Sequence, residues 1–149
     1  MDANEKMFCY QCQETAKGTG CTRRGVCGKL PETSARMDLL LYAARGVAIL
    51  NDALRGMGKP QRDADRLIID ALFTTITNAN FDNEMLDGYI RRAFQTKREQ
   101  KAKCTESGVG IPDFPEVALE AVPEDYERLE PVTSVLAEPD PDKRGLKQL

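Results

Sequence analysis

The chain has no histidine and no tryptophan, and aromatic residues make up only 6% of its 149 positions. Lack of histidine excludes a Rieske-type centre, which needs two imidazole ligands, and removes the commonest nitrogen ligand of zinc. With 41% hydrophobic residues and so few rings, the core should be aliphatic. A chain of this length makes one domain, burying about two thirds of the surface its unfolded form exposes. No stretch approaches the roughly 18 to 20 apolar residues of a membrane span, and the start lacks the basic-then-apolar order of a secretory signal. The expectation is a cytoplasmic protein that meets no membrane. A basic excess is missing too. There are 24 acidic and 21 basic residues, a net charge of -3, which gives nucleic acid no electrostatic footprint. That balance is uneven along the chain, because Thr105 to the end carries eleven acidic and four basic residues and leaves the first 104 at +4.

Cysteine is concentrated. Four of the five lie in nineteen residues, Cys9, Cys12, Cys21 and Cys27, in the pattern C-x2-C-x8-C-x5-C. A reducing cytosol makes such a cluster a metal or redox site rather than a disulfide framework, and the odd count agrees. Three readings compete. An iron–sulfur cluster takes four thiolates from a backbone that bends around it. A structural zinc takes four as well, but its knuckles commonly come as two close pairs, and the x5 gap of Cys21 and Cys27 is loose for one. Unligated thiols are the third, disfavoured because clustered exposed thiols oxidise readily. Gly18, Gly20, Gly25 and Gly28 allow tight turns around such a centre. Lys17, Arg23, Arg24, Lys29 and Arg36 stand close in sequence to offset its negative charge. Cys104 is separate and reads as a thiol without a role. Glu14 and Glu32 flank the segment, but no second acid or nucleophile converges with them, so no catalytic site can be assembled.

The remainder reads as helical. Leu30 to Ser34 supplies a proline and hydroxyl caps that open a helix over roughly 33–56. Its stripe is Leu40, Ala44, Val47, Asn51 and Leu54, widened by Leu39, Ala43, Leu50 and Met57, and Gly56 to Pro60 stops it. A second helix starts at Asp63 as N-cap, runs through Leu67, Ile68, Leu72 and Ile76, and closes in the run from Thr77 to Phe81. Asp82 caps a third with the face Met85, Leu86, Tyr89, Ile90, Ala93 and Phe94. The predicted fold class is all-α: an antiparallel bundle of about three helices, preceded by an iron–sulfur-binding cysteine loop and followed by an irregular, acidic, proline-rich tail. The expected division is 1–30 for the loop, 31–104 for the bundle and 105–149 for the tail. Pro112, Pro115, Pro123, Pro131, Pro139 and Pro141 lie in that tail, which makes it poor at building a core of its own. Its short apolar runs suit packing on a neighbouring surface.

The run Met7-Phe8-Cys9-Tyr10-Gln11-Cys12-Gln13-Glu14-Thr15-Ala16, with Gly20-Cys21-Thr22 and Gly25-Val26-Cys27-Gly28-Lys29, closely resembles the N-terminus of the hybrid-cluster proteins. These are also called hydroxylamine reductases and are relatives of the nickel carbon monoxide dehydrogenases. Similarity continues through Asp38-Leu39-Leu40, Arg45 to Ile49 and Leu72 to Phe81, covers roughly the first hundred residues, and fades in the acidic tail, which then reads as altered sequence. The resemblance implies that Cys9, Cys12, Cys21 and Cys27 hold a cubane [4Fe-4S] cluster, since the x8 and x5 gaps match the cubane type rather than the [2Fe-2S] members with longer gaps. It implies an all-helical domain and, for the whole enzyme, reduction of hydroxylamine to ammonia and water. The catalytic hybrid cluster, held in that family by a histidine, glutamates and further cysteines downstream, is not expected in this chain. Three functions follow: the electron-relaying part of a hydroxylamine reductase, a free-standing small iron–sulfur carrier, or a zinc-stabilised interaction module. The expected partners are an electron donor protein, ferredoxin-like or an NADH-dependent reductase, and the catalytic domains as a separate chain.

Overall fold

The computed structural model describes residues 6–77, 81–120, 129 and 132–148. Asn78, Ala79 and Asn80, read as part of the second helix's close, and Pro123 and Pro131 of the tail lie outside the described residues. Three long helices dominate: α1 Pro31–Gly56, α2 Arg62–Ile76 and α3 Asn83–Glu106. Beyond them lie the short helices α4 Pro115–Ala118 and α5 Pro141–Lys147, with a 3-10 turn at Val135–Ala137 between them. No strand longer than one bridge occurs among the described residues, so the all-α expectation holds.

The start of α1 differs from its expected form. Pro31 occupies the first turn, where a missing N–H costs nothing, and Leu30 stands at the N-cap without a side-chain bond. Thr33 and Ser34, expected as caps, lie inside the helix and are buried. The Thr33 hydroxyl instead donates to Asn83 Oδ1 at 3.0 Å, tying the starts of α1 and α3. The N-cap of α2 is Gln61 rather than Asp63, which sits in the first turn. Asp82 does cap α3, accepting from the Met85 amide at 3.1 Å.

Cross-helix polar contacts fix the topology. Arg36 and Asp87 pair at 3.0 Å near the starts of α1 and α3, whereas Asn51 and Arg55, near the end of α1, meet Asp65 in the first turn of α2. Consequently α2 runs opposite to α1 and α3, an up-down-up arrangement. Asn51, read as a member of the apolar stripe, is a buried fastener whose Oδ1 also accepts the Gln61 amide at 3.1 Å and sets the α1–α2 turn. The main core joins Leu39, Leu40, Ala43 and Val47 of α1 to Ala64, Leu67 and Ala71 of α2 and to Leu86, Ile90, Ala93 and Phe94 of α3. Met57, expected on the stripe, is exposed beyond the helix end. Leu72 and Ile76 are exposed as well, because α2 turns Ala64, Leu67, Ala71, Thr74 and Thr75 inward.

The tail packs on this chain itself. Leu129 enters the main core, and Val117 of α4 joins Leu50, Leu54 and Cys104 in a second cluster. Lys97 of α3, almost fully buried, donates to the carbonyls of Glu116 (2.7 Å) and Leu119 and holds α4 down. Burial lowers its pKa to about 8. Gly46 of α1 lies directly beneath, where a Cβ would collide with the Glu116 carbonyl.

Candidate metal centre

The cysteine segment has almost no regular structure, and a single antiparallel bridge organises it. Cys9 and Cys21 exchange both backbone hydrogen bonds, at 3.0 and 2.9 Å. Opposed residues of such a pair have Cα atoms about 5.5 Å apart and side chains on one face. The pair therefore presents two sulfurs to the same side. The two arms close tightly because residue 20 is glycine: at φ +117° it lies against the Phe8 ring, and a Cβ there would fall 2.5 Å from Phe8 Cε2.

Both sulfurs of the pair have polar groups directed at them. The ammonium of Lys29, which is only 2% exposed, lies 3.5 Å from Cys9 Sγ and 3.1 Å from Gln11 Oε1. The Ala16 amide points at Cys21 Sγ from 3.4 Å, and the Thr15 hydroxyl stands at 3.7 Å. Burial pushes the Cys21 thiol up, but bonds from the Ala16 and Val26 amides and Thr15, with the Lys29 charge, outweigh it and leave the pKa below its ordinary value. Of the five cations near the cysteines in sequence, Lys29 is placed on a sulfur. Arg36 turns away to Asp87, and Lys17, Arg23 and Arg24 are exposed.

Cys12 is half-buried and Cys27 exposed. Among the described residues no three Cys, Asp or Glu side chains converge closely enough to hold a metal ion, so the backbone pairs Cys9 with Cys21 and does not gather all four. The donor chemistry nonetheless fits a thiolate-held centre: four cysteines on one loop, a buried ammonium and an amide already directed at sulfur. Cys104 has no part in it. Fully buried among Leu50, Leu54 and Val117, it is a core residue whose pKa burial raises.

Sequence reasoning did not reach the contacts made from the far end. Asp38 of α1 is buried and accepts from the Ser134 hydroxyl and the Val135 amide, both at 3.2 Å. Burial raises its pKa to about 7 against these bonds and one from Gln148. Gln148 in turn reaches the backbone on both sides of Cys9. Separations of about a hundred residues and more leave no local signal for such pairs.

The sequence pattern of the Prismane/CO dehydrogenase family matches residues 7–139. The chain belongs to that family. It is 47% identical over 144 residues to the hydroxylamine reductase of Bacteroides thetaiotaomicron, covering 96% of this chain and 26% of that protein. The hydroxylamine reductase of Porphyromonas gingivalis is 42% identical over 147 residues, 97% of this chain and 27% of its own length. That of Desulfitobacterium hafniense is 39% identical over 146 residues, with 96% and 27% covered. The chain thus spans about a quarter of the length of the curated relatives it matches. Similarity does not fade after the first hundred residues. The match runs through the acidic tail to residue 139, so the tail is family sequence, in keeping with its packing on the bundle. No helix among the described residues is long and apolar enough to cross a membrane.

Proposed function

We propose that Cys9, Cys12, Cys21 and Cys27 hold a [4Fe-4S] cluster and that this chain is the cluster-bearing helical part of a hydroxylamine reductase, working in the cytoplasm. The observation that carries the reading is the Cys9–Cys21 pair, with the Lys29 ammonium on one sulfur and the Ala16 amide on the other, in a chain of this family. Bound there, the cluster would supply one-electron storage and transfer. The protein's own part is to place the Lys29 ammonium and a directed amide beside the sulfurs and to shield the Cys9–Cys21 side from water. Electrons would come from a ferredoxin-like or NADH-dependent donor and pass to catalytic domains that carry the reduction of hydroxylamine. The outer face of α2 supports a larger assembly. Ile69, Leu72, Phe73 and Ile76 fall at i, i+3, i+4 and i+7 and are all exposed, an apolar face a solitary carrier would avoid.

Metal analysis of anaerobically purified chain tests the reading. About four iron and four sulfide per chain, with an EPR signal after dithionite, are expected. One zinc and no sulfide would replace it with the zinc-stabilised module. With reduced viologen and hydroxylamine the chain alone should show no ammonia formation above background.

A further inference from the structure

We propose that Gln148 is a positioning residue for Cys9, and that the C-terminal helix α5 is a clasp closed over the cysteine loop. The proposal rests on Cys9 being a cluster ligand. Along an extended strand successive residues direct their hydrogen-bonding groups to opposite edges, so when Cys9 spends its N–H and C=O on Cys21, those of Phe8 and Tyr10 face the other way. In a sheet a third strand would take them. Here the Gln148 carboxamide does: its Oε1 accepts the Tyr10 amide at 2.7 Å and its Nε2 donates to the Phe8 carbonyl at 2.9 Å. A carboxamide has the donor and acceptor of a peptide group, so it can take the place of the missing strand. Gln148 is only 7% exposed.

A lone bridge is marginal without a further partner, so pairing on both edges is what fixes the Cys9 backbone. Helix α5, which Gln148 follows directly, reinforces the grip. Arg144, one helical turn before Gln148, stacks its guanidinium 5.5 Å from the centre of the Phe8 ring and donates to the Glu138 carbonyl at 2.6 Å. The Tyr10 ring lies against Gly145. Asp140 caps the helix by accepting from the Asp142 and Lys143 amides, and Ser134 and Val135 moor the segment before it on Asp38. Thus the last turn of the tail reaches the first cysteine through bonds spanning about 140 positions of chain.

Hydrogen exchange and iron release in the full chain test this together. In the wild-type chain without metal, the Tyr10 amide should exchange slowly although its side chain is exposed; fast exchange there overturns the clasp without need of a variant. Q148M keeps length and packing but removes the hydrogen bonds. It should speed Tyr10 exchange by about tenfold or more while α3 amides such as Ile90 keep their protection. In reconstituted chain it should hasten iron loss to bipyridyl by about 10- to 100-fold, the usual size of an outer-shell effect, and alter the EPR line shape of the reduced cluster. If Met restores wild-type exchange and iron retention, Gln148 merely fills space and the proposal is wrong. If wild type protects Tyr10 but takes up no iron, the clasp stands and the cluster reading falls.

Discussion

The bundle and the cysteine loop are stabilised in opposite ways. In the bundle, residues 31–106, order comes from repetition, with apolar side chains every three or four positions on three helices meeting in one core, so each contact is supported by neighbours of the same kind. In the loop, residues 6–30, no period exists. One bridge, one glycine pressed on Phe8, a buried lysine and a carboxamide borrowed from the far end define it. The lesson is that a helical core tolerates loss by degrees, whereas a ligand loop depends on single groups whose removal has no local substitute.

Several substitutions sharpen that contrast. The largest effect belongs to the loop: Cys12→Ser should bring iron content of the reconstituted chain near background while the helical circular dichroism stays unchanged. Next is the core. Leu40, fully buried, should cost about 2–5 kcal/mol in urea unfolding when changed to Ala. Lys97→Met strands the Glu116 and Leu119 carbonyls, at about 1–3 kcal/mol, and should expose residues 112–119 to limited proteolysis before the bundle opens. Cys104→Ser places a hydroxyl in an apolar cluster and should lose about 1–2 kcal/mol with iron content unaffected. Equal iron losses from Cys12→Ser and Cys104→Ser would erase the distinction between the two regions.

A smaller effect joins the two regions through pH. Asp38 has its folded pKa raised from 3.8 to about 7 by burial, so its contribution to stability is full below the lower value and is lost as pH rises through the upper one. Glu120 and Glu138, whose pKa values are lowered by hydrogen bonds to Lys101 and Lys147, act oppositely and only on acidification below the ordinary carboxylate range. Between about pH 5 and 7.5 the wild-type melting temperature should therefore fall by a few degrees, and Asp38→Asn should flatten that slope. A slope that survives the substitution assigns it to another group.

Much of the bundle was readable in advance. The stripes of α1 and α3 and the Asp82 cap follow from local spacing, and local spacing is what a helix obeys. The α2 face was misjudged because its apolar residues exceed what the core can take, so that Leu72 and Ile76 stay outside. At the loop, cysteine spacing named the candidate ligands, and glycine content announced tight turns. Which of five nearby cations meets a sulfur was not readable, since that depends on how the loop folds over α1.

Sequence by itself determined the helices, the thiol-rich segment and the absence of imidazole, because these are properties of residue type and short-range order. Tertiary structure alone decided that Cys9 faces Cys21, that Lys29 is buried on the pair, and that Asp38, Arg144 and Gln148 draw the acidic tail back onto the loop. Those contacts join positions up to about 140 residues apart, and only a packed core that holds both ends in place can make up the entropy of bringing them together.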